Sequence, residues 1–370
     1  MLGHIWRFAV SAMDWRNGLR KTMGQSNIEA VFISNMRDET DRKRYLGQWH
    51  PKEGHFNGPR YWINSTAGRT RVINSTTEDL ITLSDRERAK EQFIAATQWA
   101  KDNGAKVILL AAGTKRLFGE DGAELKKKFP ELLFTIGDNG TMLVLQGETF
   151  RALELAELKP GKCRIGILGP YGFLGETTTR ALKNKGYDLV GAGPNTSALD
   201  RIAKAYDIET CQAFTEMGKV DAVVACTHSE KIRLTTEHIE LIRRKNKRLL
   251  VIDVAEPSNF RSREYQKNRE KVIRQDAGNA YSPDLKYVLG AISYRMFRLT
   301  RGVTFGCFAE TLAIASTLQH GKDGVGGIDW FKVSEENMEV VADLFEKVKF
   351  TLPSARCFGR PVKSFNLDLK

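Results

Sequence analysis

Hydrophobic runs alternate with segments of helical periodicity through the middle of the chain. Four runs that are apolar throughout predict strands at 163–168, 188–192, 221–226 and 248–254. Three segments between them have helical spacing, near 173–185, 196–205 and 231–246. Strands that are continuously apolar, rather than alternating, belong to parallel sheets covered on both faces. The pattern therefore predicts an α/β fold with a doubly wound, Rossmann-type domain.

The regions on either side of this pattern differ from it. Residues 1–75 show no sustained period, and we expect irregular structure with a few short elements there. Ser84 and Glu87 have the spacing of a capping box, which predicts a helix that ends at Gly104 and leads into a buried strand. Two C-terminal helices are predicted near 305–319 and 334–349.

The turn-forming segment from Leu158 to Lys162 sets the predicted domain boundary. We predict an N-terminal α/β substrate-binding domain at 1–158 and an NADP-binding Rossmann domain at 159–290. The remaining residues, 291–370, are predicted to form a C-terminal helical segment that packs between the two domains.

A glycine-rich turn follows the first strand of the predicted Rossmann domain. One glycine permits the tight turn, the second lets backbone approach a pyrophosphate, and the third lets the helix pack on the strand. The helix N-terminus that follows attracts phosphate. The predicted dinucleotide site comprises Gly169, Pro170, Tyr171, Gly172, Phe173, Leu174 and Gly175. The alternative is a glycine-rich turn that binds nothing.

The second strand of this domain indicates which dinucleotide is bound. An NAD site usually has a carboxylate at this strand end, but here the first one is Asp200. Four nearby side chains are candidates for binding a 2′-phosphate: Asn195, Thr196, Ser197 and Arg201. We therefore expect NADPH rather than NADH. Cys226 and Thr227 end the fourth strand, where the nicotinamide half normally lies.

Cys307 is the cysteine with the clearest chemical context. It follows Gly306 in the first turn of a predicted helix, where the helix dipole favours thiolate. A thiolate beside a nicotinamide can attack a thioester and present the acyl group to hydride. The alternative is a structural cysteine at a helix start. Glu310 is a candidate for orienting or deprotonating the thiol, and His228 is a candidate proton donor; an exposed glutamate and a loop histidine are the alternatives.

Composition narrows the choice of partners. The sequence has 57 Lys and Arg against 45 Asp and Glu, a net charge of +12, which favours an acidic partner or a phosphorylated cofactor. Its basic runs lack interleaved aromatic residues, so nucleic acid is not expected. The histidines form no ligand-spaced cluster, and no metal site is predicted. No apolar window is long enough to span a membrane, and the dispersed cysteines favour a cytoplasmic protein.

Four segments resemble the long-chain acyl-[acyl-carrier-protein] reductases of cyanobacteria, which form fatty aldehydes. These segments are 135–141, 169–175, 251–259 and 305–310, within a likeness that covers about residues 70–360. The resemblance implies an N-terminal substrate domain, a Rossmann domain that binds NADPH, and Cys307 as the acylated cysteine. It also implies acyl carrier protein or acyl-CoA as the acyl donor and makes an aldehyde-consuming enzyme a candidate partner. The segment 111–117 is more basic than an acyl tunnel predicts.

Three functions therefore remain open. The first is NADPH-dependent reduction of an acyl thioester to an aldehyde through an acyl-cysteine. The second is an alcohol or ketone dehydrogenase similar to shikimate dehydrogenase, which needs a Lys/Asp or Tyr/Lys proton relay that the sequence does not identify. The third is a non-catalytic protein that senses a nucleotide.

Overall fold

The computed structural model describes residues 28–227, 229–296, 299–319, 321 and 324–369, with three isolated positions before residue 28. The strands are β1 (Ala30–Met36), β2 (His55–Ile63), β3 (Thr66–Thr76), β4 (Val107–Leu110), β5 (Leu133–Thr135), β6 (Arg164–Leu168), β7 (Asp188–Ala192), β8 (Glu209–Cys211), β9 (Ala222–Ala225), β10 (Leu249–Asp253), β11 (Val272–Asp276), β12 (Asn279–Tyr281), β13 (Lys286–Tyr287), β14 (Val303–Phe305), β15 (Arg356–Cys357) and β16 (Arg360–Pro361). The α-helices are α1 (Glu39–Tyr45), α2 (Leu83–Asp102), α3 (Ala123–Lys128), α4 (Asp138–Leu155), α5 (Phe173–Asn184), α6 (Thr196–Tyr206), α7 (Thr236–Ile242), α8 (Ser262–Asn268), α9 (Gly290–Met296), α10 (Gly306–Gln319) and α11 (Glu335–Lys347).

The chain divides into two compact units. The first comprises Met1–Thr141 and Ala280–Thr351, and the second comprises Met142–Asn279 and Leu352–Lys370. This division differs from the predicted boundaries at 158/159 and 290/291. Helix α4 starts in the first unit and continues into the second, and β13 pairs with β2 of the N-terminal sheet. The predicted C-terminal segment 291–370 is likewise divided between the units, at Thr351.

The first unit contains a six-stranded mixed sheet in the order β13-β2-β3-β1-β4-β5. Strands β3, β1, β4 and β5 are parallel, whereas β2 and β13 are antiparallel to their neighbours. Helix α2 packs on this sheet through Ala89, Phe93, Ala96 and Ala100, which are fully buried at the predicted helical spacing. The parallel part of the sheet brings the carboxyl ends of β4 and β5 side by side.

The prediction of irregular structure for residues 1–75 is wrong for the described part of that region. Residues 30–76 contribute three strands and a helix. The strands escape pattern recognition because they bury charged side chains: Arg60, Arg69 and Arg71 on β2 and β3 are at most 6% exposed. Arg71 is accommodated by His55 and by the ring of Trp99, which lies 3.9 Å from its guanidinium. Apolar periodicity is lost wherever arginines form part of the core.

The second unit contains a six-stranded parallel sheet in the order β8-β7-β6-β9-β10-β11. This is the strand order 3-2-1-4-5-6 of a doubly wound dinucleotide-binding fold, with the switch point between β6 and β9. The predicted Rossmann-type α/β fold is confirmed. Strands β6, β7, β9 and β10 each lie within one residue of their predicted ends.

Two local predictions in the helices are wrong. Helix α2 starts at Leu83, and among the described residues its N-cap Thr82 makes no side-chain capping bond, so Ser84 and Glu87 do not form a capping box. The segment predicted as one helix at 231–246 contains α7 over only seven residues, because the Thr235 side chain caps its start and Arg243 leaves helical geometry.

No helix in the described part of the chain combines the length and apolar character needed to cross a membrane.

Candidate functional site

The glycine turn between β6 and α5 has the geometry of a phosphate cradle. A Cβ added to Gly175 would lie 2.0 Å from the Gly169 carbonyl oxygen, so only glycine lets α5 approach β6 this closely. A Cβ on Gly172 would meet that oxygen at 3.5 Å and no other described atom within 4 Å. The turn therefore leaves open space at the N-terminus of α5, where free backbone N–H groups attract phosphate. These residues fit the pyrophosphate of a dinucleotide.

The side chains of this turn pack towards β7. A Cβ on Gly191 would lie 2.8 Å from Pro170, and a Cβ on Gly193 would lie 2.5 Å from the ring of Tyr171. Phe173 is 43% exposed and Leu174 is half-buried at the start of α5. Pro170 and Tyr171 thus cover the end of β7, so phosphate contacts depend on the backbone.

The residues predicted to bind a 2′-phosphate lie together at the start of α6 but bond to protein. The Asn195 side chain caps α6 by accepting from the Ala198 N–H, and Ser197 donates to it as well. Thr196 accepts a hydrogen bond from Gln212. The guanidinium of Arg201 makes a bidentate pair with Glu176 of α5, at 2.7 and 2.6 Å. A 2′-phosphate at Arg201 has to compete with this carboxylate.

Thr227 lies next to the glycine turn. A Cβ on Gly169 would lie 2.8 Å from the Thr227 Cβ. The backbone N–H of Cys226 donates to the Leu168 carbonyl at 3.0 Å, and burial raises the pKa of its thiol to about 12. The thiol of Cys226 is therefore neutral, and it is the backbone N–H of this residue that extends the pairing of β6 with β9. His228 lies outside the described residues.

Cys307 belongs to the first unit, where it is the second residue of α10. The loop between β5 and α4 contacts it directly: a Cβ on Gly137 would lie 2.3 Å from the Cys307 Cβ. Gly137 also has φ of 69°, so both its backbone conformation and the close contact require glycine. The segments 135–141 and 305–310, which both carry the family resemblance, therefore meet at this point.

A lysine and an aspartate form an ion pair beside this cysteine. Lys115, in the single-turn helix after β4, bonds to Asp138, the first residue of α4. Asp138 is 8% exposed, and the Lys115 side chain is 25% exposed. In a largely buried ion pair each charge stabilises the other, because removing one partner leaves an uncompensated charge. The pair lies at the carboxyl ends of β4 and β5, the edge at which parallel sheets commonly bind ligands.

Glu310 is fully buried and joins three elements around this pair. Its two carboxylate oxygens accept from the Thr135 hydroxyl at 2.5 Å and from the Gly140 backbone N–H at 2.6 Å. Thr135 ends β5, Gly140 lies in the first turn of α4, and Glu310 lies on α10. The carboxylate therefore holds the start of α4, and with it Asp138, against α10.

The protonation states correct one expectation about Cys307. Burial raises the pKa of its thiol to about 11, although the nearby Lys115 charge and the Phe308 N–H act in the opposite direction. The helix start therefore does not by itself produce a thiolate. Burial would lower the pKa of Lys115, but Asp138, Cys307 and Glu310 outweigh it and raise that pKa. Burial raises the pKa of Glu310 to about 7, against the two hydrogen bonds that favour its charged form.

Aromatic rings surround the start of α10. Phe308 stacks on Phe32 of β1 at 4.3 Å and meets Tyr61 and Phe305 edge-on at 5.7 and 5.5 Å. Tyr61 is fully buried and shares a hydrogen bond with Thr70. These rings form an apolar cluster around Phe308, the residue that follows Cys307.

Neither Lys115 nor Asp138 was predicted as a site residue. They are 23 positions apart, and only the pairing of β4 with β5 brings their loops together. Two signals were present: the unusually basic segment 111–117, and Asp138 within a segment that carries the family resemblance. This pair has the residue types of the Lys/Asp relay that the dehydrogenase alternative requires.

Part of the chain matches a known protein family. The family model of shikimate/quinate 5-dehydrogenase matches residues 154–276, which are 123 of the 370 residues and all lie in the second unit. No curated protein matches the chain.

Among solved structures, the chain is similar to L-tryptophan dehydrogenase from Nostoc punctiforme, at 12% identity over 87% of this chain and 90% of that one, with a TM-score of 0.43. It is also similar to a dipicolinate synthase chain from Bacillus halodurans, at 15% identity over 47% of this chain, with a TM-score of 0.34, and it spans only 59% of that chain. Shikimate 5-dehydrogenase from Thermus thermophilus, solved with NADP(H) and shikimate, matches at 14% identity over 59% of this chain and 64% of that one, with a TM-score of 0.27. These likenesses assign no activity to the chain.

Proposed function

We propose that this protein is an NAD(P)(H)-dependent oxidoreductase that interconverts a carbonyl and an alcohol. The observation that carries the proposal is the ion pair of Lys115 and Asp138 at the carboxyl ends of β4 and β5. The match of residues 154–276 to a shikimate/quinate 5-dehydrogenase family supports this reaction class better than it supports acyl-thioester reduction.

The second unit would hold the dinucleotide through its backbone. The turn from Gly169 to Gly175 and the N-terminus of α5 would receive the pyrophosphate, and Thr227 would lie beside the nicotinamide half. We propose NADPH as the preferred cofactor, because the chain after β7 offers Asn195 and Arg201 and places no carboxylate there before Asp200. When bound, the nicotinamide supplies or accepts the hydride.

Lys115 would act on the oxygen of the substrate. Its raised pKa keeps the ammonium protonated at neutral pH, so it can donate a hydrogen bond to a carbonyl and a proton to the oxygen as the alcohol forms. Asp138 would keep Lys115 charged and oriented, and Glu310 would hold Asp138 in place through the start of α4.

A second candidate is reduction of an acyl thioester, which the position of Cys307 favours. The thiol lies in the first turn of α10, where Lys115 and the Phe308 N–H both lower its pKa against the effect of burial. In this reaction the Cys307 sulfur attacks the thioester carbonyl, and the carrier thiol leaves with the proton. Hydride then reduces the acyl-cysteine, and the resulting hemithioacetal releases an aldehyde and restores the thiol. The net charge of +12 suits an acidic acyl carrier protein or acyl-CoA.

The two candidates separate in one set of assays. NADPH oxidation is measured with a panel of cyclic keto acids and with acyl-CoA or acyl carrier protein, using the wild type, Lys115→Met and Cys307→Ser. Lys126→Met is the matched control, because Lys126 is an exposed lysine on α3. Under the dehydrogenase proposal Lys115→Met loses about 10²- to 10⁴-fold in kcat, while Cys307→Ser and Lys126→Met stay active.

Mass spectrometry after incubation with an acyl thioester and no cofactor completes the test. An acyl adduct on Cys307 that is absent from Cys307→Ser would replace the first proposal with the second. A wild-type protein that binds NADPH but transfers no hydride to either substrate class would contradict both, and would favour a nucleotide-sensing protein.

A further inference from the structure

The segment after β10 contains a buried asparagine for which the catalytic proposal gives no role. Asn259 is fully buried in the second unit, within one of the segments that carry the family resemblance. Its Nδ2 group donates to the carbonyls of Thr227 at 2.8 Å and Ile232 at 3.1 Å, and its Oδ1 accepts from the Leu234 N–H at 3.0 Å. All three partners belong to the segment that follows β9. One carboxamide therefore holds both ends of that segment.

Asn259 is itself fixed from the end of β10. Asp253 accepts from the backbone N–H groups of Asn259 at 3.2 Å and Phe260 at 3.0 Å. Its carboxylate also binds Arg274 at 3.0 Å, and both side chains are at most 1% exposed. The buried ion pair thus fixes the backbone of Asn259, which makes the asparagine a rigid anchor rather than an adaptable contact.

The segment that Asn259 holds contains a residue that packs against the glycine turn. Thr227 packs against Gly169, and its hydroxyl accepts from the Ser229 N–H at 3.1 Å. Thr227 follows β9, next to the topological switch point between β6 and β9. A shift of this segment would move the wall beside the nicotinamide half while leaving the pyrophosphate turn unchanged.

We propose that Asn259 is a positioning residue for the nicotinamide half of the dinucleotide. It acts through Thr227 and does not touch the cofactor. The inference rests on the proposed function, because it requires a pyridine dinucleotide on the second unit. It separates the site into a pyrophosphate turn that depends on backbone and a nicotinamide half that depends on one carboxamide.

The test compares a complete ligand with its ADP half. Dissociation constants for NADPH and for 2′-phospho-ADP-ribose are measured by calorimetry in the wild type, Asn259→Ala and Asn268→Ala. Asn268 is the matched control: it is 1% exposed in the same unit, and its side chain bonds to Thr236 and Glu264 instead of the segment after β9. We expect Asn259→Ala to weaken NADPH about tenfold or more and to change 2′-phospho-ADP-ribose less than about twofold. Asn268→Ala is expected to change the two ligands by the same factor.

A second variant keeps the test decisive if Asn259→Ala unfolds. Asn259→Asp retains the acceptor for the Leu234 N–H but places an oxygen against the carbonyls of Thr227 and Ile232, so it should show the same selective loss. Equal losses for both ligands, or no loss for either, would overturn the inference while leaving the proposed function standing. A folded wild type that binds neither ligand would overturn the proposed function and the inference with it.

Discussion

The candidate sites of the two units consist of different kinds of chemical group. In the second unit the site is made of main chain: a glycine turn, a helix start and a segment held by one carboxamide. In the first unit it is made of ionisable side chains, the buried Asp138 and Glu310 and the partly buried Lys115, beside a cysteine. Main-chain N–H groups need no compensating charge, whereas buried charges are stable only as a set. The first site should therefore respond most to the loss of one partner, and the second to a change of backbone geometry.

The largest effect should come from a glycine in the first unit, where side-chain chemistry also depends on a close backbone contact. Gly137→Ala adds a Cβ 2.3 Å from the Cys307 Cβ at a φ of 69°. We expect a loss of about 3 kcal/mol or more in the free energy of unfolding, from overpacking and backbone strain together. Urea denaturation measures it.

Gly119→Ala is the matched control for Gly137→Ala. Gly119 lies in the same unit with φ of 74°, but a Cβ there would meet no described atom within 4 Å. This variant should lose only about 1 kcal/mol, the cost of the left-handed conformation alone. Equal losses in the two variants would show that the contact with Cys307 contributes nothing.

An intermediate effect should come from two buried carboxyl groups, Glu310 in the first unit and Glu148 in the second. Burial raises the pKa of Glu310 from 4.5 to about 7, and that of Glu148 from 4.5 to about 8. The unfolded chain releases these protons at lower pH than the folded chain does. Stability from these groups is therefore complete below about pH 4.5 and is lost as the pH rises towards 7 for Glu310 and 8 for Glu148.

Glutamine variants should flatten these two parts of the pH profile separately. In the wild type, the melting temperature is expected to decline as the pH rises from 4 towards 9. Glu310→Gln should lose the part of this decline that lies below about pH 7, and Glu148→Gln should lose the part that continues to about pH 8. Glu154→Gln, an exposed position on α4, is the control and should leave the profile unchanged. A wild-type profile that rises between pH 5 and pH 8 with no difference in the variants would contradict the assignment.

The smallest effect should come from the exposed pair at the edge of the second site. Glu176 holds the guanidinium of Arg201, which is 53% exposed, so a ligand phosphate has to displace it. Glu176→Gln should tighten 2′-phospho-ADP-ribose by about twofold to fivefold, the range typical of an exposed ion pair. Arg201→Ala should weaken the same ligand, and ADP-ribose should respond to neither change. An unchanged ratio of the two ligands in Arg201→Ala would remove Arg201 from the phosphate site.

The fold of the second unit could be predicted in detail because the residues that determine its elements lie close together in the sequence. Parallel strands buried on both faces give continuous apolar runs, and Gly169, Gly172 and Gly175 lie within seven residues of one another. The start of α6 depends on the bond from Asn195 to a residue three positions away. The cap at Thr235 was not predicted, and neither was the bond from Arg201 to Glu176, which joins separate helices.

The fold and site of the first unit could not be predicted to the same extent, because the residues that form them lie far apart in the sequence. Arg60, Arg69 and Arg71 interrupt the apolar pattern of strands that are nevertheless core. The bond from Thr135 to Glu310 spans 175 positions, and no spacing rule connects them. Cys307 was identified as a candidate from its helix start, but burial outweighs that local effect on its pKa. A site assembled from several loops can be identified only when the order of the strands is known.

The division of the first unit into two stretches of chain has a consequence for how the protein is made. Its sheet needs β13 as an edge strand, and its core needs α10, which the ribosome produces only after residue 305. The Rossmann sheet is complete once β11 has emerged, some thirty residues earlier than α10 begins. Since domains generally fold as units during synthesis, the Rossmann sheet should form before the core of the first unit is complete, and residues 352–370 should join the second unit after both. A nascent chain stalled before Gly306 would then already bind the dinucleotide and still lack the cysteine.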